Sequence, residues 1–269
     1  MTATSDPSAP SRRWTRDLRL VAHQVKFEQL AFWVNRVGAV FTVGFSVVFL
    51  VMLGASDGNQ RVATLGGARL ITYYVPGFIA YGVMAAGFTT LAITIVVRRE
   101  TGLLKRLRLS PMPTWVLLTS IFVSTAIVAV VQFLLLLVIG RVAYHVAFPS
   151  SWLALVVAVL VGVVSFSAMG VAISTLVPNQ ETAGPVTSIV FFVLLFLAGL
   201  YFPLPAGSGL ARFSNYLPVR HLILAMDRPF DIPRGVSPWA WHDLLAVALW
   251  GAGATLVALR RFRWSPRRP

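Results

Sequence analysis

The chain contains no cysteine in its 269 residues, which excludes disulfides, thiolate metal sites and thiol catalysis. Charge is also scarce. Asp, Glu, Lys and Arg make up 12% of the residues, against about a quarter in a soluble domain. Lysine occurs only at Lys26 and Lys105, and neither follows a glycine. The Gly-x-x-x-x-Gly-Lys-Ser/Thr loop that cradles nucleotide phosphates is therefore missing, and with it the chain's means of hydrolysing nucleotide. No His-Glu-x-x-His pattern occurs, and the four histidines (His23, His145, His221 and His242) lie far apart.

What is abundant is apolar surface. The hydrophobic share is 57% and the mean hydropathy is +0.77. Six runs approach or exceed the ~20 residues needed to cross a bilayer: 37–54, 72–97, 115–140, 152–177, 186–204 and 244–259, the last with an alternative start at Trp239. The fold class that follows is an all-α integral membrane protein with six transmembrane helices spanning residues 37–259. Residues 1–11, small, polar and proline-containing, read as a disordered cytosolic tail. No apolar core follows them within reach of a cleavable signal. Residues 12–36 place Leu18, Val21, Val25 and Phe32 at helical spacing among Arg and Lys, the pattern of an amphipathic helix lying in the interface. Residues 260–269 form a basic cytosolic tail.

The net charge is +14, from 23 Lys+Arg against 9 Asp+Glu. Basic residues retained on the cytosolic side explain that excess without any nucleic-acid partner. With both termini cytosolic, 16 of the 23 Lys+Arg fall inside and 7 outside. Trp33, Trp115, Trp152, Trp239 and Trp264 fall near span ends, where interfacial anchors belong. Of the external connections only the third, 205–239, is long, and its piece "LARFSNYLPVRHLILAM" predicts short helices dipping into the outer leaflet.

None of the six runs contains Asp, Glu, Lys, Arg or His, and Gln132 is their most polar residue. Ion-coupled transport usually needs an ionisable group within the membrane, so proton-driven transport is disfavoured. Asp227 and Asp231 with His221 and His242 form the best acid/histidine cluster, which reads as a solvated or headgroup-facing surface before it reads as a catalytic site. Gly82 with Ala86, and Gly251 to Ala254, are places where small residues let helices approach closely.

The informative stretch is "RRETGLLKRLRLSPMP", residues 98–113. Arg98 and Arg99 close the second run. From Glu100 a short helix would put Leu103, Leu104 and Leu107 on one face and Lys105, Arg106 and Arg108 on the other, until Pro111 and Pro113 stop it. A short rigid helix tied at both ends to membrane helices is a handle for a cytosolic partner. A plain positive-inside loop on lipid headgroups is the alternative by composition.

This stretch resembles the first cytosolic loop of the membrane (permease) subunits of type-2 ATP-binding-cassette (ABC) exporters, the drug, lipid and polysaccharide exporters. Arg99, Glu100, Gly102, Leu104, Arg106, Leu107 and Pro111 match that pattern, with Leu103 in place of the usual threonine. "AGLYFPLP" resembles the family's signature after the fifth span at Gly199, Pro203 and Leu204. "SNYLPVRHLILAMD" resembles its Asn-x-x-Pro block at Asn215 and Pro218, where Arg220 and His221 depart from the usual small or aromatic residues. "PNQETAGP", residues 178–185, is similar to its short second cytosolic loop.

The resemblance implies a dimer of membrane subunits, either two copies or two homologous halves, resting on two ABC-type ATPase subunits in a bacterial inner membrane. Residues 98–113 would be the coupling helix docked on the ATPase. ATP and Mg would sit on that partner, with no cofactor on this chain, and a hydrophobic drug or lipid would be moved outward. Gly199, Pro203, Asn215 and Pro218 would belong to the external gate or loop. A membrane-embedded enzyme acting on lipid-linked substrates and a passive channel or scaffold stay open beside that reading.

Overall fold

The computed structural model describes residues 9–103, 113–205, 207–230 and 237–261. Six of its helices are long and apolar enough to cross a membrane. The element order is α1 (Ala9–Val34), α2 (Arg36–Ser56), α3 (Leu70–Glu100), α4 (Thr114–Tyr144), α5 (Trp152–Ser174), α6 (Gln180–Ala198), two short helices α7 (Gly209–Ser214) and α8 (Pro218–Asp227), and α9 (Trp241–Arg261). The described residues contain no β-strand, only an isolated bridge between Arg61 and Arg69.

α3 is the central element. From Leu70 to Phe88 nearly every side chain is buried, because α2, α4, α5 and α8 pack around it. α5 packs against α3 on one side and α9 on the other. Small residues permit this: a Cβ at Gly162 would meet Leu222 and Val83, and one at Gly251 would meet the Ser165 backbone at 2.8 Å. Gly82 makes room for Gln132 in the same way. Gln132 is fully buried and its Nε2 donates to Ser46 Oγ at 2.6 Å. Of the small-residue candidates read from the sequence, Gly82 and Gly251 thus sit at close helix approaches, whereas Gly253 faces open space.

Both α2 and α3 contain a π-helical turn, at Val40–Gly44 and Ala85–Thr90. The hydroxyls of Thr42 and Thr90 join the two turns at 3.1 Å.

The structure moves several expected boundaries. α1 begins at Ala9, inside the stretch read as a tail. α1 turns Val21, Val25 and Phe32 toward its neighbours but leaves Leu18 60% exposed, so Leu18 does not belong to the inward face. That face packs on α4. α5 stops at Ser174, short of 177. α6 runs from Gln180 to Ala198, not from 186 to 204. Asn179 caps its N-terminus by accepting the Thr182 N–H at 3.0 Å, and Pro185 is carried inside the helix. Gly199, at φ +78°, ends it. α9 starts at Trp241 and ends at Arg261. The longer helices therefore include charged residues the apolar runs lacked, but only in their end turns.

Candidate functional site

The expected coupling segment begins where α3 ends. Glu100 is the last residue of α3 and does not open a new helix. Thr101 and Gly102 form the turn, and the Gly102 N–H bonds back to the Arg99 carbonyl at 3.1 Å. Gly102 has φ +71°, the left-handed conformation that ends helices and favours glycine. Leu104, Lys105, Arg106, Leu107, Arg108 and Pro111 lie outside the described residues.

Arg98 and Arg99 leave α3 in different directions and find partners within the chain. Arg98 forms a two-pronged ion pair with Glu28 of α1, Nη1 to Oε1 at 2.8 Å and Nη2 to Oε2 at 2.5 Å. Gln24 also donates to Glu28 Oε1, at 3.1 Å. Both members of the pair are largely buried, at 15% and 9% side-chain exposure. Matched fork geometry makes this kind of pair strong and orientationally specific. At the next residue of α1, Gln29 Nε2 donates to both the carbonyl and the hydroxyl of Ser124 on α4, each at 2.8 Å. A cavity of about 110 Å³ separates α1 from α2, α3 and α4 here, lined in part by Asn35, Thr90 and Thr94.

Arg99 is 3% exposed. Its Nη1 donates to the Ser174 carbonyl at 3.0 Å, and its Nη2 to those of Val177 and Pro178 at 2.8 and 3.2 Å. The last carbonyls of a helix have no intrahelical donor and carry its partial negative charge. One guanidinium from α3 therefore caps the end of α5. Its Nε reaches Glu100 Oε1 at 3.3 Å. Five residues after α5, α6 has begun, so the segment similar to a short second cytosolic loop is short in the structure.

The second expected group lies at the opposite end of the bundle. Gly199 gives its carbonyl to the buried Tyr73 hydroxyl at 2.6 Å. A Cβ on Gly199 would meet Leu204 at 2.6 Å, because the chain after α6 folds back on it. Pro203 lies in that returning strand of backbone and is half-buried. The burial of Tyr201 pushes its phenol above the ordinary value. Pro218 opens α8, whose residues Val219, Leu222, Ile223 and Met226 are buried against α3, α5, α6 and α9. Of the short helices of the third connection, α8 thus packs into the bundle itself, whereas α7 buries only Ser214. Arg220 Nη1 reaches the Ala198 carbonyl at the end of α6, at 3.5 Å.

Asn215 contributes through its backbone. Its carbonyl lies 2.8 Å from His221 Nε2, and the other nitrogen, Nδ1, lies 2.7 Å from Asp243 Oδ1. His221 and Asp243 are 7% exposed each. The acid that joins His221 and His242 is therefore Asp243 and not Asp227, while Asp231 lies outside the described residues. Sequence reasoning passed over Asp243 because the apolar count began after it, at 244, although it adjoins His242. The structure brings the residues expected of a site into two separate groups, one at each end of the bundle.

Comparison with known proteins points to a transporter family. The family model described as "ABC-2 family transporter protein" matches residues 59–260. A Bacillus subtilis protein named as a transport permease, YvfS, is 23% identical over 175 residues, covering 64% of this chain and 69% of the relative. An Escherichia coli K12 protein named as a multidrug ABC transporter permease, YbhR, is 26% identical over 196 residues, covering 70% of this chain. The matched region is 52% of that relative, so the likeness reaches about half its length. With the family model covering well over half of its residues, the chain belongs to the ABC-2 family of transporter permeases.

Proposed function

We propose that the chain is the membrane-spanning subunit of an ATP-driven exporter that moves a hydrophobic or amphipathic molecule, a drug or a lipid, out of a bacterial cell. ATP and Mg bind a separate ABC-type ATPase, and a second membrane subunit completes the pore. Residues 98–113 are the contact with that ATPase on the cytosolic face. The observation that carries this reading is the environment of Arg98 and Arg99. The helix end that leads into the basic segment is bound on one side to α1 through Glu28, and on the other to the α5–α6 junction. A push on the segment would act on three elements at once. The name of the E. coli relative supports a multidrug cargo.

The test is co-purification of the tagged chain from native membranes, beside a Lys105→Glu/Arg106→Glu/Arg108→Glu variant. Recovery of a P-loop ATPase with the wild type and its loss with the variant is the expected result. The triple substitution reverses three charges at a contact built on complementarity, which suffices to dissociate partners held by such pairs. A folded chain that recovers no ATPase in either form overturns the proposal in favour of a membrane enzyme or a passive scaffold.

A further inference from the structure

His221, His242 and Asp243 lie outside everything assigned above to the ATPase contact. His221 Nε2 faces the Asn215 carbonyl at 2.8 Å. A carbonyl can only accept, so Nε2 carries a hydrogen, and in the neutral ring Nδ1 is then the lone-pair nitrogen. Nδ1 points at Asp243 Oδ1, 2.7 Å away, which in the carboxylate form only accepts. Two acceptors at this distance need a positive species between them, either a proton or a metal ion. The backbone carbonyl behind the ring is the partner a metal-bound histidine ordinarily has, since it fixes the tautomer and aims the other nitrogen.

A third donor stands beside them. His242 Nδ1 lies 3.9 Å from the same Asp243 oxygen, and its side chain is 88% exposed. The two imidazole centroids are 5.7 Å apart. The three ligand atoms lie within 4.8 Å of one another. Because His242 is exposed, its ring is free to rotate onto an ion entering from the water side. His221 and Asp243 supply the buried, oriented half. They come from different elements, α8 and the first turn of α9, so an ion held there would link the two.

We propose that His221 Nδ1, His242 Nδ1 and an Asp243 carboxylate oxygen bind a divalent transition-metal ion of the zinc class, with water in the fourth position. Two imidazoles and one carboxylate are a donor set zinc accepts. Zinc bonds of about 2.0–2.2 Å set tetrahedral ligand atoms roughly 3.3 Å apart, so the 2.7 Å pair opens by about half an ångström while His242 closes. Both movements are within the reach of side-chain rotation.

The experiment uses the full-length chain in lipid nanodiscs, titrated with Zn²⁺ by calorimetry and followed by thermal unfolding, with no ATPase present. Its outcome is therefore independent of the exporter reading. Wild type should bind one Zn²⁺ per chain at this site and unfold at a higher temperature with zinc than without. His242→Ala removes a ring that is 88% exposed and only edges His221 and Asp243, so its unfolding without zinc should change little. Its affinity at the site should drop at least about tenfold, since even a supporting outer residue is worth 10–100-fold. His23→Ala, on the exposed surface of α1, should bind zinc as wild type does. Failure of the wild type to bind overturns the proposal and leaves a proton alone between His221 and Asp243. Equal binding by wild type and His242→Ala overturns it as well, the zinc then being adventitious.

Discussion

Removing the Arg99 side chain would leave the carbonyls of Ser174, Val177 and Pro178 without the donor that now serves all three. Buried acceptors without partners are expensive, so Arg99→Ala should cost about 3 kcal/mol, a drop of roughly 6–12 °C in unfolding temperature. Arg99→Lys should recover only part of this, because a single ammonium lacks the planar fork that reaches several carbonyls together. Thermal unfolding of the three proteins in nanodiscs would check the order; a lysine variant as stable as wild type would show that charge alone suffices. The two capping glycines separate backbone strain from crowding. Gly102 and Gly199 both have positive φ, at 71° and 78°, yet a Cβ at Gly102 meets nothing, whereas one at Gly199 meets Leu204. Gly102→Ala should cost about 1–2 kcal/mol, the strain alone. Gly199→Ala should cost more by the same measurement, and equal costs would mean that the chain after α6 shifts freely.

The six long helices were legible because an apolar run of bilayer length has few other uses, and all but α6, which lies six residues earlier than its run, are centred where the runs place them. Their ends were harder. The fifth run begins at 186, after the stretch similar to a short loop, but Pro185 lies inside the helix, where its missing N–H costs one bond. The better signal was Asn179, three residues before Thr182, with Glu181 in the first turn at the positive helix end. Asn179→Ala should destabilise the protein by about 1 kcal/mol and Asn179→Ser by little, measured by unfolding. α1 shows a different limit. Its spacing identified a helix with Val21, Val25 and Phe32 on one face, but Glu28 and Gln29 fall on that face too. Their polarity argued for water, whereas their partners Arg98 and Ser124 lie 70 and 95 residues along the chain. Local periodicity carries no record of such pairs. The π turns at Val40–Gly44 and Ala85–Thr90 left no compositional sign either. Of the candidate sites, the sequence identified Arg98 and Arg99 by type, but the structure assigns them to intramolecular contacts that only the packing of α3 defines.

Across the whole molecule, α1, α3, α4 and the α5–α6 junction are bound to one another at one end by Glu28–Arg98, Gln29–Ser124 and the Arg99 carbonyl contacts. At the other end α8 is wedged between α3, α5, α6 and α9, with Tyr73–Gly199 and His221–Asp243 as polar links. α3 contributes bonded residues at both ends, Arg98 and Arg99 at one and Tyr73 at the other, so a displacement at Glu100 has a continuous helix through which to reach Leu70. If the exporter reading holds, the Glu28–Arg98 pair decides whether α1 moves with α3. Glu28→Arg should break the pair and leave two buried cations, costing about 3–5 kcal/mol of stability. It should also reduce the stimulation of the partner ATPase by the membrane subunit. The exchanged variant, Glu28→Arg with Arg98→Glu, restores opposite charges in the same 110 Å³ cavity, where solvent can accommodate the reversed fork. It should regain most of the lost stability. ATPase stimulation in reconstituted vesicles then separates two roles for the pair. Recovery of both stability and stimulation would show that the tie between α1 and α3 transmits the movement. Recovery of stability alone would confine the pair to holding the fold, and would leave the Arg99 contacts as the route from the basic segment into the bundle.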